Sequence, residues 1–207
     1  MSTVDTLGAQ APEQTGANVK CDSSSQASIG PTYWQKQRVW RIGATAKGID
    51  RDAVVQAVRN AQSEWTNNIN WCGIEDQANP PAQFEGDTSG AVKHDGKSVV
   101  DWGSLESDQN CAGALACAGT WYDEQGNPIE SDIRFNAAFK WSTKGASDAY
   151  DIQSVAAHEI GHVLQFGHVT NESKRDYTGL MWPYVDLGDT TGRKLGRGEA
   201  LEDNSHY

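Results

Sequence analysis

The window His158-Glu159-Ile160-Gly161-His162-Val163-Leu164-Gln165-Phe166-Gly167-His168 decides how this chain is read. It holds three of the five histidines in the 207 residues. His158 and His162 stand four residues apart with Glu159 between them, the pattern H-E-x-x-H. On a helix, residues i and i+4 lie one above the other, so these two imidazoles can close on one ion. Zinc favours such nitrogens, and a catalytic zinc takes three protein ligands and leaves one position open for water. His168 is the candidate third ligand. It follows His162 by six residues, too far along to share the helix face, so the chain must turn back between them. Glu159 would stand beside the metal as the general base for its water. Any one of these histidines alone reads as a surface or core residue; the three together with the glutamate do not.

Outward from the window, Asp151 can cap a helix running from Ile152 to about Gln165, and Gly167 offers the left-handed backbone that ends helices. Downstream, Gly179-Leu180-Met181-Trp182-Pro183-Tyr184-Val185 is a glycine- and proline-punctuated turn holding the only methionine besides Met1. The segment from Arg197 to Tyr207 has helical spacing with a weak apolar face. Upstream, Arg38–Ile42 alternates as a half-buried strand should. Asp50 caps a helix whose stripe is Val54, Ala57, Val58, Ala61 and Trp65, ending before Asn67-Asn68. A short strand near Ala82–Phe84 and strands at Lys97–Trp102, Leu115–Tyr122 and Ile129–Asn136 follow, the last two joined as a hairpin by Glu124–Pro128. His94, in Lys93-His94-Asp95-Gly96, reads as a solvated loop histidine, with a second metal site as the rival. No internal repeat is visible.

The length suits one domain with a full core. Residues 33–207 form that domain, while the small and polar residues of 1–32 bury too little to offset their ordering entropy and read as a flexible tail, linker or propeptide remnant. With 28 acidic against 17 basic residues the formal charge is −11, which excludes a nucleic-acid footprint and attraction to an anionic membrane. No apolar run reaches the ~18 residues of a membrane span. Cys21, Cys72, Cys111 and Cys117 include no C-x-x-C pair. Two disulfides and an oxidising compartment are expected, with three pairings open; four buried thiols are the alternative. The chain opens without a basic, then apolar, leader, so an extracellular protein would have lost its signal peptide or would travel by another route. A monomer is expected.

At this point the chain resembles the metzincin zinc endopeptidases, defined by H-E-x-x-H-x-x-G-x-x-H and a Met-turn. Leu180-Met181-Trp182-Pro183-Tyr184 is similar to the turn of the matrixins, and bacterial secreted members are the nearest in kind. The resemblance runs from about Tyr33 to Tyr207 and implies an α+β fold: a twisted mixed sheet with a long first helix, an active-site helix, the Met-turn and a C-terminal helix, in which Ile129–Asn136 resembles the edge strand. It implies a protein or peptide substrate, one catalytic zinc held by His158, His162 and His168, and a water whose proton Glu159 passes to the leaving amine. It further implies that Met181 floors the histidines and that Pro183 and Tyr184 line the pocket for the side chain after the cut. One departure stands out. Where the family has a glycine, three residues past the second histidine, this chain has Gln165, and the turn is expected at Gly167 instead. Cys21 lacks the context of the family's cysteine switch. Calcium is possible but no calcium-loop motif supports it. Two rival readings share part of the pattern: a non-catalytic, zinc-stabilised binding protein, which needs no Glu159, and a deformylase, in which His168 and Met181 have no purpose.

Overall fold

The computed structural model describes residues 3–7, 21, 28–35, 38–87, 90–169 and 179–207. The strands are β1 (Thr3–Leu7), β2 (Arg38–Ile42), β3 (Ala82–Asp87), β4 (Ser98–Gly103), β5 (Ala116–Tyr122), β6 (Pro128–Asn136), β7 (Trp141–Ser142) and β8 (Tyr150–Asp151). The helices are α1 (Arg51–Thr66), α2 (Ile152–Val163) and α3 (Arg197–His206). The first six strands form one mixed sheet in the order β1-β5-β6-β4-β2-β3. β5 runs antiparallel to β6 and to β1, while β2, β3, β4 and β6 pair in parallel. The expected α+β architecture is therefore present.

Each long helix starts and stops where local chemistry dictates. The Asp50 carboxylate accepts from Ala53 N at 3.0 Å and caps α1. α1 ends at Thr66, and two residues on, Asn68 takes φ 41°, a backbone that asparagine tolerates. The stripe Val54, Ala57, Val58, Ala61 and Trp65 is buried. It packs against α2, and the Trp65 indole donates to Ala157 O at 2.8 Å. Trp40 and Ile42 of β2, Val100 of β4, and Ile133 and Phe135 of β6 complete one continuous core with Val155, Ile160 and Val163 of α2.

Two sequence expectations change, and a third point that the sequence left open is settled. Ile129–Asn136, likened to an edge strand, is interior, bonded to β5 on one side and β4 on the other. Its acidic residues are buried. Asp132 accepts from Lys93 N and Val99 N, both at 2.8 Å, and Glu130 accepts from Asp95 N at 2.9 Å and Gly96 N at 2.5 Å. Buried carboxylates thus satisfy a loop backbone, which period-2 reading cannot foresee. Second, Thr3–Leu7, within the segment read as a tail, pairs residue for residue with β5 from Thr3↔Thr120 to Leu7↔Ala116 and lies against α2. Ladder hydrogen bonds to an otherwise open edge order a strand without a large apolar payload. Residues 1–2, 8–20 and 22–27 of that segment lie outside the described residues. Third, the cysteines choose one of the three pairings, Cys21–Cys72 and Cys111–Cys117. Among the described residues no helix is long and apolar enough to cross a membrane.

Candidate metal centre

α2 is anchored before it presents anything. The fully buried Asp151 carboxylate accepts from Ser154 N at 3.0 Å, capping the helix, and takes a two-point ion pair from Arg193 at 3.0 and 2.6 Å. The helix then runs through Ala156, Ala157 and Gly161, small residues that let neighbours come close. A Cβ on Gly161 would stand 2.4 Å from the Met181 sulfur and 2.8 Å from the Trp65 ring. Met181 therefore lies directly under the residue that precedes His162, with its side chain fully buried.

The end of α2 answers the question raised by Gln165. Gln165 N donates to His162 O at 3.0 Å and Phe166 N donates to Gly161 O at 2.9 Å, the bond pair of a Schellman ending. The residue between these bonds must be left-handed, and Gln165 takes φ 75°. The turn is thus at Gln165 itself and not at Gly167. Gly167 is small for another reason: a Cβ there would meet Ser28 Oγ at 2.3 Å. The non-glycine backbone costs about 1 kcal/mol or more, and three contacts hold it. Gly30 N donates to Gln165 O at 2.8 Å, Tyr122 Oη donates to Gln165 Oε1 at 2.8 Å, and Gln165 Nε2 donates to Val163 O at 3.3 Å. After the turn, Val169 N donates to Met181 O at 3.0 Å, which fixes the chain beside His168.

The result is convergence. The Nε2 atoms of His158, His162 and His168 lie 2.9, 3.1 and 3.2 Å from one another. Three nitrogens on a tetrahedral zinc at ~2.05 Å would be about 3.3 Å apart. The other ring nitrogens decide the protonation. His158 Nδ1 lies 2.8 Å from Leu180 O, and His162 Nδ1 lies 2.8 Å from Phe166 O. A carbonyl only accepts, so each Nδ1 carries the proton and each Nε2 is a bare lone pair. Burial, then the neighbouring His162 and His168, hold the His158 pKa well below its ordinary value, so it stays neutral. Lone pairs that meet at 2.9 Å repel unless a cation lies between them. The donor set fits zinc, with two ligands oriented by carbonyls in the manner of metal-binding imidazoles. Among the described residues this is the one group of three metal-ligating side chains. His94 stands elsewhere, stacked on Trp121 at 5.3 Å with its Nε2 3.7 Å from Glu130.

Glu159, next to His158 on the helix, is fully buried. Two cavities flank the histidines. One of about 500 Å³ opens on His162 between β5 and the segment Ser28–Thr32. The other, about 30 Å³, adjoins His158 and is lined by Leu180, Trp182, Tyr184 and Thr191. Tyr184 lines this cavity, and Pro183 is not among the described residues that do.

The match to the Matrixin family model extends over residues 33–197 and so contains all three histidines, Glu159 and Met181. The chain belongs to the matrixin family. Its similarity to a named matrixin-type protein is local: Metalloendoproteinase 1-MMP of Arabidopsis thaliana is 41% identical over 58 residues, 26% of this chain and 16% of that protein. The chain thus matches well under two thirds of that relative's length. Several residues that build this matrixin's centre were not singled out in the sequence. Glu199 of α3 accepts from Met181 N at 3.1 Å and so ties the Met-turn to the last helix. Its signal was the weak apolar face of that helix, which instead carries buried acids. Arg193 and Tyr122 left no local signal, because their partners lie 42 and 43 residues away in sequence.

Proposed function

We propose that this matrixin is a zinc-dependent endopeptidase that acts on proteins or peptides outside the cell, with residues 33–207 as its catalytic body. The observation that carries the reading is the meeting of three Nε2 atoms, those of His158 and His162 unprotonated, beside a buried carboxylic residue. His158, His162 and His168 would hold the ion, which supplies Lewis acidity and an acidified water when bound. Glu159 would accept the attacking water's proton and deliver it to the leaving amine, a general acid–base contribution of about 10²–10⁴-fold. Met181 supports the ligand cluster from below by filling the space left by Gly161. The small cavity beside His158, walled by Tyr184, takes the side chain that follows the cut bond. Extracellular action is supported by the two disulfides, which persist in oxidising compartments.

Glu159→Ala separates chemistry from metal binding. It should keep one zinc per chain, measured by elemental analysis, while cleavage of a denatured protein substrate falls at least a hundredfold. A wild-type protein that holds zinc and cleaves nothing across a broad peptide library would instead be a zinc-stabilised binding module.

A further inference from the structure

Gln165 is a side chain placed where the turn alone asks for none. At φ 75° glycine would close the same two helix-ending bonds without strain. A strained residue kept at a site points to a use for its side chain. That side chain crosses a gap. Tyr122 ends β5 and Gln165 ends the turn of α2, and their 2.8 Å hydrogen bond joins the two banks of the cavity that opens on His162. The surroundings are shaped to admit it. A Cβ on Gly30 would lie 3.3 Å from the Gln165 Cβ and 3.4 Å from its Oε1. The amide is held at both ends, Oε1 by Tyr122 and Nε2 by Val163 O, so it is a fixed wall rather than a free surface group. Ile29, Ala118 and Phe166 give the cavity apolar faces, and Thr120, Tyr122 and Gln165 give it a polar boundary.

We infer that Gln165 is a specificity-determining residue: its amide, locked to Tyr122, bounds the substrate subsite on the His162 side of the metal and limits the size of the side chain seated there. The inference rests on the peptidase reading of this site. It explains why an L-residue occupies a left-handed position in the turn that delivers the third ligand. Side chains seated there lie against the apolar faces, and the amide bounds their reach.

The test uses the full chain loaded with zinc and a peptide set varied one residue at a time, from three before to three after the cut bond. Gln165→Gly relieves the backbone strain and opens the wall; Gln165→Ala opens the wall and keeps the strain. Both should raise the ratio of kcat/KM for tryptophan over leucine at least tenfold at one position only, chiefly through KM. Tyr122→Phe keeps the ring and frees the amide, so its shift should be about two- to fivefold in the same direction. Zinc content and thermal midpoint are measured alongside. The inference is overturned if the ratio stays within twofold in both Gln165 variants, if all peptides slow equally, or if both variants lose zinc, since each outcome leaves Gln165 a purely structural role. Wild-type protein that cleaves no peptide overturns the peptidase reading itself, and this inference with it.

Discussion

Gly161 bears a tight packing constraint beside the candidate metal ligands. Its missing Cβ is the space into which the Met181 sulfur and the Trp65 ring fit. Gly161→Ala forces both fully buried side chains to move, an overpacking cost of about 1–3 kcal/mol. For a domain of this size the thermal midpoint should drop by roughly 3–10 °C. Zinc content after dialysis should fall too, because His162 follows directly. An unchanged midpoint would mean that Met181 does not lie under the helix. The chemistry of the single residue was the most legible level of the sequence: H-E-x-x-H followed by His168 names candidate ligands and a candidate base by type and spacing. What it could not name was Gln165 as the left-handed residue. Steric preference assigns that backbone to Gly167, and only the bonds from Gly30 and Tyr122 reverse the preference.

At the scale of elements, α2 depends on a buried ion pair as much as on its apolar contacts. Asp151 is fully buried and accepts from both the helix N-terminus and Arg193. Removal of the guanidinium strands a charge in the interior, so Arg193→Ala should destabilise by about 3–5 kcal/mol, read by denaturant unfolding. Arg193→Lys should recover only part of this, since it lacks the two-point fork. A loss below 1 kcal/mol would show Asp151 to be satisfied by the helix alone. Helix and strand positions were largely legible because caps, apolar stripes and the Glu124–Pro128 turn are local signals. The neighbours of a strand are not local. β6 reads as half-polar, and its Glu130 and Asp132 are buried only because the loop at 92–99 folds its amide groups onto them.

For the whole molecule, three buried carboxyls govern the pH response. Burial raises the pKa of Glu64 to about 9, of Asp203 to about 8 and of Asp132 to about 7. In the unfolded chain such groups titrate near ~4. Between these limits the folded state holds protons that the unfolded state has released, so stability is highest at the acid end and falls as pH rises from about 4 toward 7–9. Neither Asp203 oxygen has a hydrogen-bond partner among the described residues. Asp203→Asn should therefore raise the midpoint relative to wild type by roughly 5 °C at pH 9 and by much less at pH 5. A gap that is the same at both pH values would contradict the assignment. The disulfides differ in reach, Cys21–Cys72 spanning 51 residues and Cys111–Cys117 spanning 6. By loop-closure entropy the first contributes about 4 kcal/mol and the second about 2, so a Cys21→Ser/Cys72→Ser pair should lower the unfolding midpoint further than a Cys111→Ser/Cys117→Ser pair.

By itself the sequence determined the candidate ligand types, the glutamate between them, the caps and stripes of the helices and the order of elements, because each depends on residues within a turn or two of one another. The tertiary structure decided what depends on distance: that Leu180 O and Phe166 O set the tautomers of two histidines, and that Glu199 holds the Met-turn. It also decided which cysteines meet, that Thr3–Leu7 pairs with β5, and that Gln165 makes the turn to His168. A carbonyl or hydroxyl selects a partner by position in space, and the chain brings those positions together only when the whole core closes.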